Sequence, residues 1–494
     1  MSSIKTLLKQ SSHYLTGRGI AIAIGFVSFP VFARLFSVAD YGVLNLAQRC
    51  AMFAVAVAKL GMQNSILRFH EESASSEESL SRLYSTALFG TTFGALVCST
   101  LCALFFALPS TSRWIPPNIV RALLVTCGLV FLRGAASPLY GFLRVEGRTL
   151  AFNTLDVLTR LLSLIIGVTM VLLLGRRPEN LLLGLIVAEA TVIVIALAFY
   201  VPRQRLSLAY FDRGLFRTAL VFGAPLAASE LAQTLLGSAD RAFVQYYLGS
   251  QPLGYYAAAC TIAIILQEAL QIPLNLALVP IYMKIWYTEG AEATGRFVGL
   301  TFELFLLAAC GVTAVVFAAS TQLIIFVNSA KYAPAAPMLG PLVAGYMFLA
   351  ASVFLSAGFW VQKKTMQMAR LVAIACVVKC VLNVLLLPRL GLNGAVIPNV
   401  AGFMLLAGLY GWYSHRLLPI YVSVVRCLIY VAAGVGAAWV GQTVVLPGLL
   451  LPLAARATAT LAVYLAAVLA LDSRARQWAG VGLSKLRKAQ GPVL

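Results

Sequence analysis

Charged residues are scarce in this sequence, and acidic residues are the scarcer sign. Only 11% of the 494 residues are Asp, Glu, Lys or Arg, whereas 61% are hydrophobic. Soluble globular domains carry about 25% charged residues, so this composition excludes a water-exposed surface over most of the chain. The apolar residues instead occur in runs long enough to cross a bilayer, for which a helix needs about 20 of them. The composition therefore predicts an all-α, polytopic membrane protein.

Groups suited to catalysis or metal binding are also sparse. The sequence has three histidines, at scattered positions, and nine cysteines without a CxxC pair. All the cysteines lie in apolar segments, where Cys behaves as a small core residue. We find no phosphate-binding glycine loop, no nucleophile elbow and no paired carboxylates in an aqueous domain. We therefore expect a transporter rather than an enzyme, with no metal site and no cofactor.

The apolar runs predict about fourteen transmembrane helices in a scan with a window of about 19 residues. The predicted segments are 12–36, 42–63, 82–108, 117–141, 151–174, 181–201, 215–247, 252–284, 297–327, 335–361, 368–388, 393–414, 419–441 and 452–471. The connections between them are too short to form a separate domain. Any chemistry must therefore take place within the membrane or at its two faces.

Positive charge dominates the ionic residues that remain. The chain has 37 Lys and Arg against 17 Asp and Glu, which gives a net charge of +20. With the N-terminus in the cytoplasm, most basic residues fall on the even-numbered connections and on the C-terminal tail, which is the positive-inside asymmetry of membrane proteins. We therefore expect both termini on the cytoplasmic side, basic residues in contact with anionic lipid headgroups, and no binding of nucleic acid.

An internal repeat divides the predicted helices into two sets. The stretch LFSVADYGVLNLA, which contains Gly42, matches YLGSQPLGYYAAA, which contains Gly254, at an offset of 212 residues. Because this offset spans an even number of helices, both halves keep the same orientation and are related by a two-fold axis along the membrane normal. We predict two parallel six-helix bundles at 1–205 and 206–416, followed by two further helices and a basic cytoplasmic tail at 417–494.

Polar residues follow one face of several predicted helices. On the second helix they fall within an arc of about 100°, and the repeat places Lys59 and Gln63 on Gln271 and Asn275 of the eighth helix. Four such faces, on the first, second, seventh and eighth helices, predict one aqueous cavity between the bundles. Their members include Arg18, Asn45, Gln48, Arg49, Lys59, Gln63, Glu230, Asp240, Arg241, Glu268, Gln271 and Asn275.

The excess charge expected in this cavity is positive. A charge at the centre of a membrane helix costs roughly 2.5–3.5 kcal/mol on insertion scales, so such residues normally face water or a partner. The cationic candidates outnumber the acids expected beside them; they are Arg18, Arg49, Lys59, Arg133 and Lys379. The cargo is therefore predicted to be anionic. Phosphate or pyrophosphate is the natural candidate, since a guanidinium fork and an ammonium both bind its oxygens.

For several of these charges the sequence also allows a structural role. Lys59 and Arg18 lie near cytoplasmic helix ends and are able to reach the lipid headgroups, whereas Arg49 lies roughly 10 Å deep at 1.5 Å per residue. Asp156 and Arg160 are four positions apart and are expected to neutralise each other. Lys379 has no local counter-charge in the sequence and stays a cavity candidate.

Three stretches carry a family resemblance by their order and spacing: FPVFARLFSVADYGVLNLA, YYLGSQPLGYYAAA and LLLPRLGLNGAVIPNVAG. They resemble the polysaccharide flippases of bacterial surface-glycan synthesis, which belong to the multidrug/oligosaccharidyl-lipid/polysaccharide exporter superfamily. The resemblance implies a multi-pass protein of the bacterial cytoplasmic (inner) membrane. Such a protein would move an undecaprenyl-pyrophosphate-linked oligosaccharide from the cytoplasmic to the outer leaflet, by alternating access, for lipopolysaccharide O-antigen or exopolysaccharide.

The resemblance also implies roles for individual residues. Substrate binding would involve Arg18, Arg49, Lys59, Arg241, Lys379, Asn45, Gln63, Gln271 and Asn275. Candidates for coupling to H⁺ or Na⁺ are Glu230, Asp240 and Glu268. The expected partners are the lipid-linked oligosaccharide, membrane lipids and other polysaccharide-assembly proteins.

Three alternative functions stay open at this point. A multidrug/cation antiporter of the same superfamily would want a carboxylate in the first helix, where SSHYLTGRGIAIAIGFVSFPVF offers His13 and Arg18 but no acid. A lipid II flippase is poorly separated from a carrier of O-antigen or exopolysaccharide. An O-antigen polymerase or ligase would want a large external loop, whereas the predicted outer connections are short.

Overall fold

The computed structural model describes residues 2–73, 76–200 and 206–477, apart from the side chains of 2–16, 18, 112, 276 and 277. The chain in these ranges is almost entirely helical. The helices are α1 (Ser2–Leu35), α2 (Val38–Ala58), α3 (Met62–Ser73), α4 (Glu77–Ala107), α5 (Pro117–Val145), α6 (Thr149–Leu174), α7 (Pro178–Ile195), α8 (Arg213–Ser238), α9 (Asp240–Leu248), α10 (Ser250–Thr288), α11 (Gly290–Val327), α12 (Ala336–Leu355), α13 (Ala357–Val361), α14 (Thr365–Leu390), α15 (Asn393–Leu417), α16 (Val424–Thr443) and α17 (Leu450–Leu471).

Thirteen helical segments of the described chain are long and apolar enough to cross a membrane, from Val38–Ser73 to Leu450–Leu471. The first predicted span, 12–36, falls in α1, where Gly19–Leu35 forms a shorter apolar helix. The prediction of an all-α polytopic membrane protein is therefore confirmed. Ser and Asp caps begin several of these helices, as where the Asp212 carboxylate accepts from the backbone N–H groups of Gly214 and Leu215 at the start of α8.

The helices form two compact units, which we describe separately. The first comprises Met1–Ala258 and Met366–Pro398, and the second comprises Ala259–Thr365 and Asn399–Leu494. In the first unit α4 packs along α5 and α6 along α7; in the second, α11 packs against α12, α16 and α17. The segment that contains α14 thus packs with the N-terminal helices. The predicted boundaries at 205 and 416 concern the sequence repeat and stay a prediction.

The second predicted span, 42–63, is not one continuous helix. Here α2 ends at Ala58 and α3 begins at Met62, and between them Leu60 and Gly61 have positive φ angles of 53° and 68°. A side chain at position 61 would place its Cβ 2.2 Å from the carbonyl oxygen of Gly223 on α8. The close backbone approach of α8 therefore accompanies a break in the helix, and the break leaves Lys59 at the end of α2.

The two glycines that define the repeat lie against each other. A Cβ on Gly42 would lie 2.4 Å from the oxygen of Ser250, and a Cβ on Gly254 would lie 1.9 Å from the oxygen of Val38. Since Ser250 is the equivalent of Val38 at the offset of 212 residues, each helix start makes the same contact with the other. Such reciprocity is what a two-fold axis between equivalent elements produces, and it supports the repeat register.

We expect Gly254→Ala and Gly42→Ala to lower the unfolding temperature of the detergent-solubilised protein. Alanine favours a helix over glycine by about 1 kcal/mol, but here its Cβ meets backbone atoms that have no rotamer to move. Gly436→Ala is the matched control, because that helical glycine has no neighbour within 4 Å of the added Cβ. The reciprocal contact also predicts non-additivity, so the double variant should lose less than the sum of the two single losses. Single variants as stable as the control would contradict the contact.

In the second unit, an ionic cluster holds the start of α16 and the end of α17 against α11. The buried carboxylate of Glu303 on α11 accepts from the backbone N–H of Ser423 at 2.8 Å and from the Arg426 guanidinium at 2.7 Å. Asp472, just beyond α17, accepts from the hydroxyl of Tyr430 at 2.7 Å. Burial acts to raise the pKa of Asp472, but hydrogen bonds from the Tyr430 hydroxyl and backbone N–H groups, together with the Arg426 charge, hold that pKa below its usual value.

This cluster predicts a loss of stability in acid. Because the pKa of Asp472 is lowered in the folded state, its stabilising contribution is fully present above the unfolded Asp pKa of about 3.9 and is lost as the pH falls through the lowered value. We expect the unfolding temperature of the wild type to fall more steeply below about pH 4 than that of Asp472→Asn, measured by tryptophan fluorescence. Parallel curves would show that the carboxylate does not stabilise the fold.

Candidate functional site

A polar cavity of about 450 Å³ lies among the helices of the first unit. It is the place where many of the unit's intramembrane charges meet. Its lining consists of Met52, Val55, Lys59, Gln63, Asn64, Leu67, Arg133, Ala136, Ser137, Tyr140, Gly141, Arg144, Phe152, Asp156, Glu189, Glu230 and Thr234. These residues come from α2, α3, α5, α6, α7 and α8. The lining extends to Arg144, at the end of α5 that the positive-inside pattern assigns to the cytoplasmic face.

The break after α2 gives the cavity its central cation. Lys59 is the C-terminal capping residue of α2, and its Nζ lies 3.3 Å from Glu230 Oε1 on α8. The side chain of Ser65 on α3 donates to the carbonyl oxygen of Ala219 on α8 at 2.7 Å. The segments on both sides of the break are therefore tied to the helix that supplies Glu230.

Two further ion pairs belong to the same cavity. Arg133 Nε on α5 lies 2.8 Å from Glu189 Oε1 on α7, and Arg160 Nε lies 3.3 Å from Asp156 Oδ2. The latter pair confirms that these two residues neutralise each other. Three cations and three carboxylates lie on the described lining, and Arg160, the partner of Asp156, is not among the lining residues. Glu189 and Asp156 offset part of the positive charge that the sequence predicts here, and a basic cavity stays a prediction.

Neutral polar groups fill the space between the charges. The hydroxyl of Ser137 donates to Gln63 Oε1 at 3.2 Å, and Tyr140 and Thr159 share a hydrogen bond of 3.3 Å. Asn64 and Thr234 also lie on the lining. Hydroxyl and amide groups both donate and accept, so this part of the wall offers both hydrogen-bond donors and acceptors.

A second group of charges is enclosed in the first unit away from this cavity. Asp240 and Arg241, at the start of α9, and Lys379, on α14, are at most 1% exposed. Asp240 lies 3.2 Å from the Arg241 guanidinium and 3.5 Å from Lys379 Nζ, and it accepts a hydrogen bond from the hydroxyl of Tyr256. Arg241 Nε also donates to Asn45 Oδ1 on α2 at 3.0 Å. These five residues form what we call the buried cluster.

The buried cluster changes the interpretation of Lys379. The sequence shows no local counter-charge for this residue, but the fold provides Asp240, and Lys379 Nζ also donates to the carbonyl oxygen of Leu236 at 2.7 Å. A residue 139 positions away in the chain cannot be recognised as its partner from helical spacing. Within this conformation Lys379, Arg241 and Asn45 thus link α14, α9 and α2.

We expect Asp240→Asn to destabilise the protein strongly. The change leaves two enclosed cations without their shared carboxylate, and removing one partner of a buried ion pair costs about 3–5 kcal/mol. Asp240→Asn with Lys379→Met should recover part of the loss, because one of the two cations is then absent. The measurement is the unfolding temperature and the yield of monodisperse protein in detergent. Wild-type stability in the single variant would contradict the assigned pairing.

The other residues predicted for the site lie in different places. Arg49 is half-buried outside the polar cavity, with its guanidinium 3.7 Å from the sulfur of Met52. Gln271, Asn275 and Glu268 are half-buried residues of α10, in its part that belongs to the second unit. Gln271 accepts a hydrogen bond from Gln267. The side chain of Arg18 lies outside the described residues.

The structure therefore brings together only part of the predicted set. Lys59, Gln63 and Glu230 line the polar cavity, and Asn45, Asp240, Arg241 and Lys379 form the buried cluster with Tyr256. The prediction placed Arg133 among the cavity cations but gave no site role to Glu189 or Arg144. A signal existed for Glu189, since it is a lone charge in an apolar helix and such a charge requires a partner of opposite sign.

The second unit contains a groove of a different character. It has a volume of about 750 Å³ and is lined almost wholly by apolar side chains of α11, α12, α15 and α16, among them Phe302, Phe305, Phe348, Met404 and Trp439. No Lys, Arg, Asp or Glu of the described chain lies on this lining. Such a surface suits a hydrocarbon chain.

Solved structures share this fold across most of the chain. A lipid II flippase, MurJ, in an inward closed conformation has a TM-score of 0.71 at 14% identity, covering 92% of this chain and 98% of its own. An inward-facing multidrug resistance MATE transporter of the MOP superfamily has a TM-score of 0.59 at 16% identity, covering 82% and 94%. The outward-facing form of such a transporter has a TM-score of 0.57 at 15% identity, covering 83% and 95%.

In sequence, the chain is 23% identical over 211 residues to an uncharacterized membrane protein of Methanocaldococcus jannaschii. That alignment covers 42% of this chain and 41% of the relative. The chain thus matches about two fifths of the length of that relative.

The helices and their arrangement define the class as a polytopic membrane protein, with the fold that these solved flippase and transporter structures share. The family follows from the sequence itself. A family model described as polysaccharide biosynthesis protein matches residues 7–286, more than half of the chain. The chain belongs to this family, and the resemblance predicted from its motifs is confirmed.

Proposed function

We propose that this protein is a flippase that moves an undecaprenyl-pyrophosphate-linked oligosaccharide from the cytoplasmic to the outer leaflet by alternating access. The observation that carries the proposal is the charged and hydroxyl-rich cavity between membrane helices, in a member of a polysaccharide biosynthesis family. A glycan carrier needs both anion-binding and sugar-binding groups out of contact with lipid. The lining supplies both kinds.

Each part of such a substrate has a matching surface. Lys59 would bind the pyrophosphate as a point charge. Arg133, and Arg144 toward the cytoplasmic end, would bind it through the forked donors of their guanidinium groups. Gln63 and Ser137 would bind sugar hydroxyls. The prenyl chain would stay in the apolar surroundings of the bilayer. Substrate contacts of Arg241, Lys379 and Asn45 stay a prediction for a conformation in which the buried cluster opens, and those of Arg18, Arg49, Gln271 and Asn275 stay predictions as well.

Export of an anion agrees with the membrane potential. Each negative charge that moves outward through an inside-negative potential gains about 2.3 kcal/mol per 100 mV. The potential is thus able to drive export without a coupled ion. If H⁺ or Na⁺ is coupled, Glu230 is the candidate on the cavity lining, whereas Asp240 lies in the buried cluster and Glu268 in the second unit. We propose the bacterial inner membrane as the location and other polysaccharide-assembly proteins as partners in O-antigen or exopolysaccharide synthesis.

One observation favours a second candidate, a multidrug/cation antiporter. The three carboxylates on the cavity lining, Asp156, Glu189 and Glu230, are groups that a cationic drug or an ion would bind. A lipid II flippase remains a neighbouring possibility for the anionic cargo, since the same cavity chemistry serves both lipid-linked sugars.

We expect wild-type protein in vesicles to move lipid-linked oligosaccharide between leaflets. The variants Lys59→Ala and Arg133→Ala should each reduce the rate of this movement by about tenfold or more, since a charge-assisted hydrogen bond contributes roughly 1.5–3 kcal/mol. Fluorescently labelled substrate and membrane-impermeant quenching give the measurement. Arg82→Ala is the control, because that cation forms an exposed pair with Glu78.

The outcomes separate the candidates. Transport of a cationic dye but of no lipid-linked sugar would replace the flippase with the antiporter. Transport of lipid II at a higher rate than other lipid-linked sugars would reassign the cargo. Unchanged rates in both cavity variants would remove the cationic lining from the mechanism.

A further inference from the structure

The ion pairs of the polar cavity limit what an anionic substrate gains there. Two cations of the lining, Lys59 and Arg133, each already face a carboxylate, so an entering anion competes with that carboxylate for the cation. It gains the full interaction with such a cation only where the carboxylate gives way to the ligand. The question is which pair can separate.

The exposure of the carboxylates answers it. In the Lys59–Glu230 pair the lysine and glutamate side chains are 21% and 32% exposed, and their atoms lie 3.3 Å apart. Glu189 in the pair with Arg133 is only 10% exposed, at 2.8 Å, and Asp240 is fully enclosed. Asp156 is 31% exposed, but its partner Arg160 is not among the lining residues. Glu230 is therefore the exposed carboxylate whose partner is a cation of the lining, and it can turn toward water in the cavity with little loss of hydration.

The backbone near Lys59 also favours exchange at this pair. Lys59 stands at the end of α2, directly before the two residues of positive φ, so its ammonium is not held by a continuing helix. The segment around it is tied to α8 by the pair with Glu230, by the packing of Gly61 on Gly223, and by the hydrogen bond from Ser65 on α3. A ligand that replaced the carboxylate would change the first of these links and leave the other two.

We propose that Glu230 is an exchangeable counter-ion, which neutralises Lys59 in the empty cavity and is displaced by the phosphate of the substrate. This rests on the proposed function and assigns to Glu230 a specificity role within it. A ligand with a phosphate or pyrophosphate supplies the charge that Lys59 loses, whereas a neutral or cationic ligand supplies none. The exchange thus selects for anionic headgroups and keeps their binding weak enough for release.

The test is binding of a short-chain polyprenyl pyrophosphate to the full-length protein in nanodiscs. Glu230→Gln keeps the size and polarity of the side chain but no longer competes for Lys59, so we expect binding about threefold to tenfold tighter, with slower release. Lys59→Ala should weaken binding, and Lys59→Ala with Glu230→Gln should bind as Lys59→Ala does. This non-additivity distinguishes competition from a general change in charge.

Two controls isolate the effect. Glu78→Gln removes one carboxylate from an exposed pair with Arg82 and should leave the affinity unchanged. The corresponding polyprenol, which has no phosphate, should bind wild type and Glu230→Gln equally. If Glu230→Gln does not fold, Glu230→Asp shortens the side chain by one methylene, weakens the pair, and should give an affinity between wild type and the expected value for glutamine.

The failures are distinguishable. Equal or weaker binding by a folded Glu230→Gln, with binding retained by wild type, would overturn the exchange and leave the flippase proposal intact. A tighter affinity of Glu230→Gln for the polyprenol as well would also overturn it, since competition for Lys59 affects only the anion. Absence of pyrophosphate binding by wild type would remove both proposals.

Discussion

A charge inside a membrane protein must meet a partner or water, because the hydrocarbon offers neither. The first unit is organised by that constraint. Its enclosed charges, Asp240, Arg241 and Lys379, contact one another and, with Asn45, join three helices. The charges of the polar cavity form pairs as well, but these keep contact with water. The same requirement therefore links helices at the buried cluster and leaves charged groups accessible in the polar cavity.

Close backbone contacts place these charges, and glycine makes the contacts possible. Gly61 lies on Gly223 beside the break that positions Lys59, and Gly42 lies on Gly254 where the repeated helices begin. At both places a side chain would overlap backbone atoms of the opposing helix. Membrane helices gain their packing energy from such approach, since water supplies no hydrophobic force between them. The geometry of the cavity therefore depends on residues that do not line it.

Helix positions were accessible from the sequence because length and hydropathy alone determine them in a membrane. The break at Leu60 was not accessible, since a leucine with a positive φ angle has no local sequence signal and the backbone that packs beside the break, α8, lies far along the chain. Ion pairs separated by 171 residues, as between Lys59 and Glu230, are invisible to helical spacing for the same reason. The one-sided polar face on the second helix did indicate that Lys59 and Gln63 belong together. By depth in the membrane it favoured Arg49 as the cavity residue, whereas Lys59 lies on the cavity lining, because that placement depends on the tertiary partner.

The three cations and three carboxylates of the lining suit either an anionic or a cationic cargo. Which cargo is bound depends on which member of each ion pair faces the ligand. At the Lys59 pair the carboxylate is the more exposed member, so its withdrawal leaves a cation. At the Arg133 pair the guanidinium is the more exposed member, 31% against 10%, and it can accept an anion while Glu189 stays bound. Arg144, exposed on the lining at the end of α5, adds a third cation. Arg133 and Arg144 thus face a ligand directly, Lys59 does so once Glu230 withdraws, and Asp156 stays paired with Arg160. Under the proposed function these three cations bind the phosphate.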